Sequence, residues 1–375
     1  MVTATNLTID KIGSRRLYGL RGAAILLVLW SHCGFDQFAF PLGPVAVRLF
    51  FILSGFHITL SFWKAIQEAE PGTKPLALLK AFYVKRFLRI APLYYGGLLI
   101  GAWMDLPSAR HGLAWDGLFL TNVHVLKLGA WPVSTAHFWS LAVQEQFYLL
   151  WPVLLLLVGR RFFPALVAGS VALGLFFRFY CQSHDINPLY HWVMLPGCWD
   201  SFMAGAVVAY LHAYRTAPAS ALAQPTLARS RAKTLGAWAR DGVWLALPFV
   251  LALAIYFSPP LSPIQFLCET LEAVSLGALI RRTIVDGGAL SNFFLEHRAL
   301  VHIGRTSYPL YIFQAFLYVL VWKRVVDYFG DNFTPLTAGI SFVLVTALGI
   351  LVVSAAQRGA AALHRRFQEA ALAAF

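Results

Sequence analysis

The sequence predicts an all-α fold, a polytopic integral membrane helix bundle of about ten transmembrane helices. Three observations predict it: an apolar composition, ten segments able to cross a bilayer, and a regular alternation of basic and non-basic connections. Of the 375 residues, 59% are apolar and 13% charged, and the mean hydropathy is +0.65. These values lie outside the balance of soluble domains. A formal charge of +13 would suit nucleic acid in a soluble chain. Here the Lys and Arg residues fall in short loops between apolar runs, where they report topology. Nucleic acid is therefore excluded as a partner and the lipid bilayer is expected in its place.

A span needs about twenty mostly apolar residues. Segments of that kind cover residues 18–36, 45–63, 88–104, 137–157, 163–181, 194–212, 243–257, 264–279, 308–321 and 336–353. The N-terminal basic stretch (Lys11, Arg15, Arg16) resembles a signal peptide, but no small-x-small cleavage site follows it, so it reads as a retained first helix. One set of connections is rich in Lys and Arg. The other holds only Arg110, Lys127, Lys323 and Arg324. Cytoplasmic loops carry the basic excess, so both termini are expected in the cytoplasm and the chain in the cell inner membrane. Residues 216–240, rich in Ala, Ser and Arg, read as a flexible cytoplasmic loop. Residues 105–136, with several aromatics and His124, are expected to dip into the membrane or cap its outer side. The four cysteines (Cys33, Cys181, Cys198, Cys268) form no CxxC pair and have no His at ligand spacing, so no metal or disulfide framework is expected.

Ionisable residues inside spans are costly and mark candidate functional positions. Arg21 and His32 lie at the two ends of the first span. Eleven residues at about 100° each leave them about 20° apart around a helix and roughly 16 Å apart along it. A long, thin cofactor with phosphates at one end and a reactive group at the other fits that axis; the plainer reading is a snorkelling Arg and a core His. Lys85, Arg86 and Arg89 open the third span, as topological anchors, as a face for an anionic nucleotide, or as both. Glu145 sits among aromatics in the fourth span, where a carboxylate needs a partner such as His32 or an Arg. Asp36, one turn beyond His32, is placed to orient its ring, and Asp200 lies early in the sixth span.

The same residues carry a resemblance to the acyltransferase 3 family of membrane O-acyltransferases. It covers nearly the whole chain. LRGAAILLVLWSH (20–32) holds the family's Arg and His with ten residues between them, and FFILSGFHI (50–58) is close to FFVLSGFLI, with His57 at an aliphatic position. KRFLRIAP (85–92) resembles the paired-arginine element. WSLAVQEQFYLLWP (139–152) resembles WSLxVEEQFYLLWP, with Gln144 at the first acidic position. WDSFMAGAVVA (199–209) places Asp200 at a common acid and Cys198 where Arg is frequent, and SYPLYIFQ (307–314) is similar to SYSLYLLH with Gln314 replacing His.

The resemblance implies a single membrane acyltransferase domain over 1–375, acetyl-CoA or another acyl-CoA as cytoplasmic donor, no metal, and an extracytoplasmic carbohydrate hydroxyl as acceptor. It implies the form without a fused outer domain. Acyl transfer to an alcohol needs a base and donors for the oxyanion. His32 is the expected base, Glu145 or Asp36 the stabiliser of its imidazolium, and Arg21, Arg86, Arg89 and Lys85 the phosphate ligands. Ser54, Asp200, Tyr308 and Tyr311 are the expected substrate contacts. A covalent acyl-His relay is the competing route. The alternatives of other classes are a glycan or lipid exporter, which the lack of an internal repeat counts against, and an inactive scaffold.

Overall fold

A computed structural model describes residue 9 and residues 11–37, 42–213, 235–285, 291–329 and 334–373. The described residues form helices and connections and no strand. In lipid no water is available to the backbone, so an apolar run satisfies its peptide groups internally, as a helix. The chain runs α1 (Lys11–His32), α2 (Gly43–Glu68), α3 (Pro75–Trp103), α4 (Ala109–Gly117), α5 (Thr121–Leu128), α6 (Phe138–Val158) and α7 (Phe163–Ser183). It continues with α8 (Leu189–Val193), α9 (Trp199–Ala213), α10 (Leu235–Phe257), α11 (Pro263–Val285), α12 (Arg298–Arg305), α13 (Ser307–Phe329) and α14 (Pro335–Ala373). Proline stands in the first turn of α2, α3 and α7, where its missing N–H costs no intrahelical bond.

Each of the ten expected segments coincides with one of the longer helices. Among the described residues six helical stretches are long and apolar enough to cross a membrane: Gly43–Glu68, Phe138–Val158, Arg160–Ser183, Pro263–Val285, Ser307–Phe329 and Pro335–Ala356. The other four expected segments fall on α1 and α3, which carry several Lys and Arg residues, on the 15-residue α9, and on α10. The loop expected over 216–240 lies outside the described residues as far as 234, and residues 235–240 open α10.

α2 is the most enclosed of the six stretches, and it crosses α9 at two glycines. A Cβ on Gly55 would overlap the Phe202 carbonyl, and one on Gly205 would overlap the Ile52 carbonyl. Small residues let membrane helices approach to backbone contact where no hydrophobic effect drives them together. The approach brings Phe202 into stacks with Phe51 (centroids 4.7 Å) and Phe147 (4.1 Å), which lock α2, α6 and α9 into one core. α1 packs against α2 and α12, burying Leu20, Ala24, Ile25 and Val28.

Residues 105–136 fold as the short helices α4 and α5 and the loop after them. Asp116 is fully buried there. Its Oδ1 accepts from Thr121 Oγ1 (2.7 Å) and its carbonyl accepts from Tyr94 of α3 (2.7 Å), while Asn122 Nδ2 donates to the Val193 carbonyl (3.1 Å). Trp115 stacks on His124 at 5.4 Å. The segment is thus tied to α3 and α8 by buried hydrogen bonds.

Two predictions follow from this packing. Gly205→Leu should abolish folded protein in membranes, because overpacking here displaces backbone and costs about 1–3 kcal/mol or more; size-exclusion profiles in mild detergent report it, and an unchanged profile would refute the close crossing. Burial pushes the Asp116 carboxyl up to about 6. The folded chain then holds that proton more tightly than the unfolded chain, so stability falls as pH rises through roughly 4 to 6. Asp116→Asn should flatten that part of the melting-temperature profile, and a retained slope would exclude Asp116 as its source.

Candidate active site

Two cavities lie along α1, one at each end of the Arg21–His32 face. The first lies between α1, α2, α3, α6 and α13, and three guanidinium groups line it: Arg21, Arg86 and Arg89. No carboxylate is among its lining residues. Arg21 Nε and Nη2 donate to Ser307 Oγ at 3.2 and 3.0 Å. The Arg86 guanidinium lies 3.8 Å over the Tyr148 ring, and its buried Nε has no hydrogen-bond partner. Tyr148 donates to Ser54, which donates to Gln144 Oε1, each at 2.9 Å. Tyr308 donates to the Ile90 carbonyl (3.1 Å), and Tyr311 shares a 2.6 Å hydrogen bond with Ser140. The expected Arg21, Arg86, Arg89, Ser54, Tyr308 and Tyr311 therefore share one wall system. An unbalanced triple positive charge over hydroxyls and aromatic rings suits a phosphorylated ligand.

The second cavity is lined by His32 and Asp200 among others. The His32 side chain is open to it. Its Nδ1 lies 2.9 Å from Gln314 Oε1, which leaves Nε2 for the cavity. Arg21 and His32 thus both meet α13, at Ser307 and Gln314, two turns apart along that helix. The two cavities share Val47 and Phe51 in their walls, so they abut at α2.

The remaining expected residues lie apart. Asp36 binds the Ser31 hydroxyl and the Leu42 amide (3.3 Å) and acts on His32 only through its charge. The ring's hydrogen-bond partner is Gln314, because the chain turns through a positive-φ Gly34 directly after His32 and carries Asp36 out of the α1 register. Glu145 lines neither cavity. The Arg86 charge acts on it, and its own acts on Tyr95 and Tyr308. Lys85 is exposed and lines neither cavity.

Sequence reasoning points to Asp200 and passes over its partners. Arg178 of α7 donates to Asp200 Oδ2 (2.9 Å) and to the Gly197 carbonyl (2.6 Å). Arg48 of α2 pairs with Glu269 (3.1 Å) and Glu272 (3.2 Å) of α11, Arg178 also pairs with Glu269 (3.5 Å), and His191 of α8 sits 3.3 Å from Glu269. The signal for four of them was present: Arg48, Arg178, Glu269 and Glu272 all fall inside expected spans, where ionisable residues are rare. His191 carries no such mark. Arg178 thus supplies from α7 the cation facing Asp200. Among the described residues no cluster of His, Cys, Asp and Glu is arranged to hold a metal ion.

Together these features define a multi-pass membrane protein with a polar, two-chambered site inside its helix bundle. The Acyltransferase domain family, Acyl_transf_3, matches residues 15–355; the chain belongs to that family. Peptidoglycan O-acetyltransferase OatA of Listeria monocytogenes is 30% identical over 155 residues, which is 37% of this chain and 23% of OatA. Acyltransferase MdmB of Streptomyces mycarofaciens is 31% identical over 164 residues, 38% of this chain and 40% of MdmB. Putative peptidoglycan O-acetyltransferase YrhL of Bacillus subtilis is 31% identical over 156 residues, 37% and 23%. The aligned stretches span less than half of each of these relatives. No solved structure matches the chain.

Removing one partner of a buried ion pair leaves an uncompensated charge and costs about 3–5 kcal/mol. Asp200→Ala should therefore lower the thermal midpoint of the purified protein sharply, and Asp200→Ala with Arg178→Met should recover part of the loss. Equal midpoints for the single and double variants would show that the pair is not coupled.

Proposed function

We propose that the chain transfers an acetyl group from acetyl-CoA, bound from the cytoplasmic side of the inner membrane, to a hydroxyl of an extracytoplasmic glycan. The observation that carries this reading is the pair of abutting cavities on one face of α1. One has three guanidinium groups and no carboxylate; the other opens onto an imidazole. Arg21, Arg86 and Arg89 hold the phosphates of the donor, with Lys85 at the surface beside them. The pantetheine arm runs along α1 past Val47 and Phe51, and the thioester comes to His32. The relatives named as peptidoglycan O-acetyltransferases support a carbohydrate acceptor, and the distribution of Lys and Arg between connections supports the orientation.

In the step itself, His32 Nε2 takes the proton of the acceptor hydroxyl as its oxygen attacks the thioester carbonyl. The C–S bond breaks, the acetyl ester forms, and the CoA thiolate leaves with the proton that His32 returns. Gln314 holds Nδ1 and so fixes which nitrogen acts as base. Asp36 favours the transient imidazolium through its charge, and Glu145 tempers the charge of Arg86 from behind the cavity wall.

Acceptor-dependent release of CoA thiol by the purified protein tests this reading. His32→Ala should lower it by about 10²–10⁴-fold, the usual contribution of a general base, with membrane levels unchanged. Arg86→Ala should raise the KM for acetyl-CoA by roughly tenfold or more, since a hydrogen bond to a charged group is worth about 1.5–3 kcal/mol. Full activity of His32→Ala would remove it from the mechanism. Export of a glycan without any labelled acetyl product would replace the enzyme reading by transport.

A further inference from the structure

We infer that the cavity holding His32 is an acceptor subsite for an uncharged pyranoside, held by Trp131, Trp139 and Trp192 and read through its hydroxyls by Arg178 and Glu269. The inference rests on the acyl-transfer reading above and narrows its acceptor to one chemical class.

Charge is the first argument. The cations of the network are Arg48 and Arg178, joined by His191 when it is protonated; the anions are Asp200, Glu269 and Glu272. Two or three cations thus face three anions, and no cation is in surplus. An anionic ligand entering here would meet carboxylates whose guanidinium partners are already engaged. The arginine-lined cavity next to it has the opposite character. A donor rich in phosphate and an acceptor without charge are thereby sorted into different chambers by electrostatics alone.

The second argument is the state of the polar atoms. Arg178 Nε and Glu269 Oε2 face each other at 3.5 Å, and neither has a hydrogen-bond partner. The His191 Nδ1 is also unpartnered. All three residues are at most 2% exposed and all three line the cavity. Side chains that line the cavity with their charges already paired offer a ligand polar contact without net charge, which suits hydroxyls, since they both donate and accept.

Shape is the third. Three indole rings, of Trp131, Trp139 and Trp192, line the cavity. Trp131 and Trp139 lie with centroids 6.3 Å apart and planes inclined at 56°, and Trp192 adjoins His191 at 5.5 Å. The C–H face of a pyranose packs on such rings while its equatorial hydroxyls point sideways to the ion pairs. His32 opens on the same cavity, so one ring hydroxyl comes within reach of the base.

The test is equilibrium binding to the full chain in lipid nanodiscs, without acetyl-CoA, of three disaccharides with one skeleton: cellobiose, its uronic acid analogue cellobiouronate, and the diamine chitosan dimer. Cellobiose should bind about fivefold more tightly than either charged analogue. Trp131→Ala and Trp192→Ala should each weaken it by about fivefold, within the value of an aromatic contact, and Trp131→Phe should retain it. Equal or tighter binding of the uronate or the diamine, no binding of any of the three, or Ala variants that bind like the parent would each overturn the inference. Acetyl transfer measured alongside separates the two readings. Cellobiose binding without acetyl transfer would keep the subsite and discard the enzyme step; transfer to a uronate acceptor would discard the subsite and keep the step.

Discussion

A charge inside a helix bundle in lipid has to find its opposite within the protein, because no solvent is there to take its place. In this chain that constraint gathers Arg48, Arg178, Asp200, Glu269 and Glu272 from four helices, with His191 from a fifth, into one network. The network joins α2, α7, α9 and α11 at the level of His32 and forms the floor of the cavity on which that imidazole opens. The crossing of α2 and α9 at Gly55 and Gly205 places Arg48 and Asp200 at the same depth, each facing the partner that completes it.

The two cavities differ in the charges that line them. Gln144 accepts a hydrogen bond from Ser54 in a neutral chain that ends at Tyr148, and no carboxylate lines the cavity of Arg21, Arg86 and Arg89. Gln314 holds the His32 ring, and Arg178 of α7 brings a cation to Asp200. One chamber is thus positive and in the other cations and carboxylates are paired, and the two abut at Val47 and Phe51.

α13 has a part in this that its apolar character hides. Ser307 and Gln314 stand two turns apart on it and receive the two polar side chains of α1, Arg21 and His32. A single helix therefore meets both ends of the α1 face, and any axial slip between α1 and α13 would disturb both contacts together.

The sequence by itself determined the helices and the face of α1. Apolar length and the 3.6-residue period are local properties, legible without knowing what lies opposite, and so are the basic connections and the i, i+3 relation of Arg86 and Arg89. The partners were not legible. His32 meets a residue 282 positions away, and Arg178 meets Asp200 across the α7–α9 packing. Which of several intramembrane charges pair, and that Asp36 turns from the ring to Ser31 and Leu42, depends on how helices dock, on depth and rotation together. Only the tertiary structure decides that, since a hydrogen bond reads distances between atoms and a periodic pattern carries none beyond its own helix.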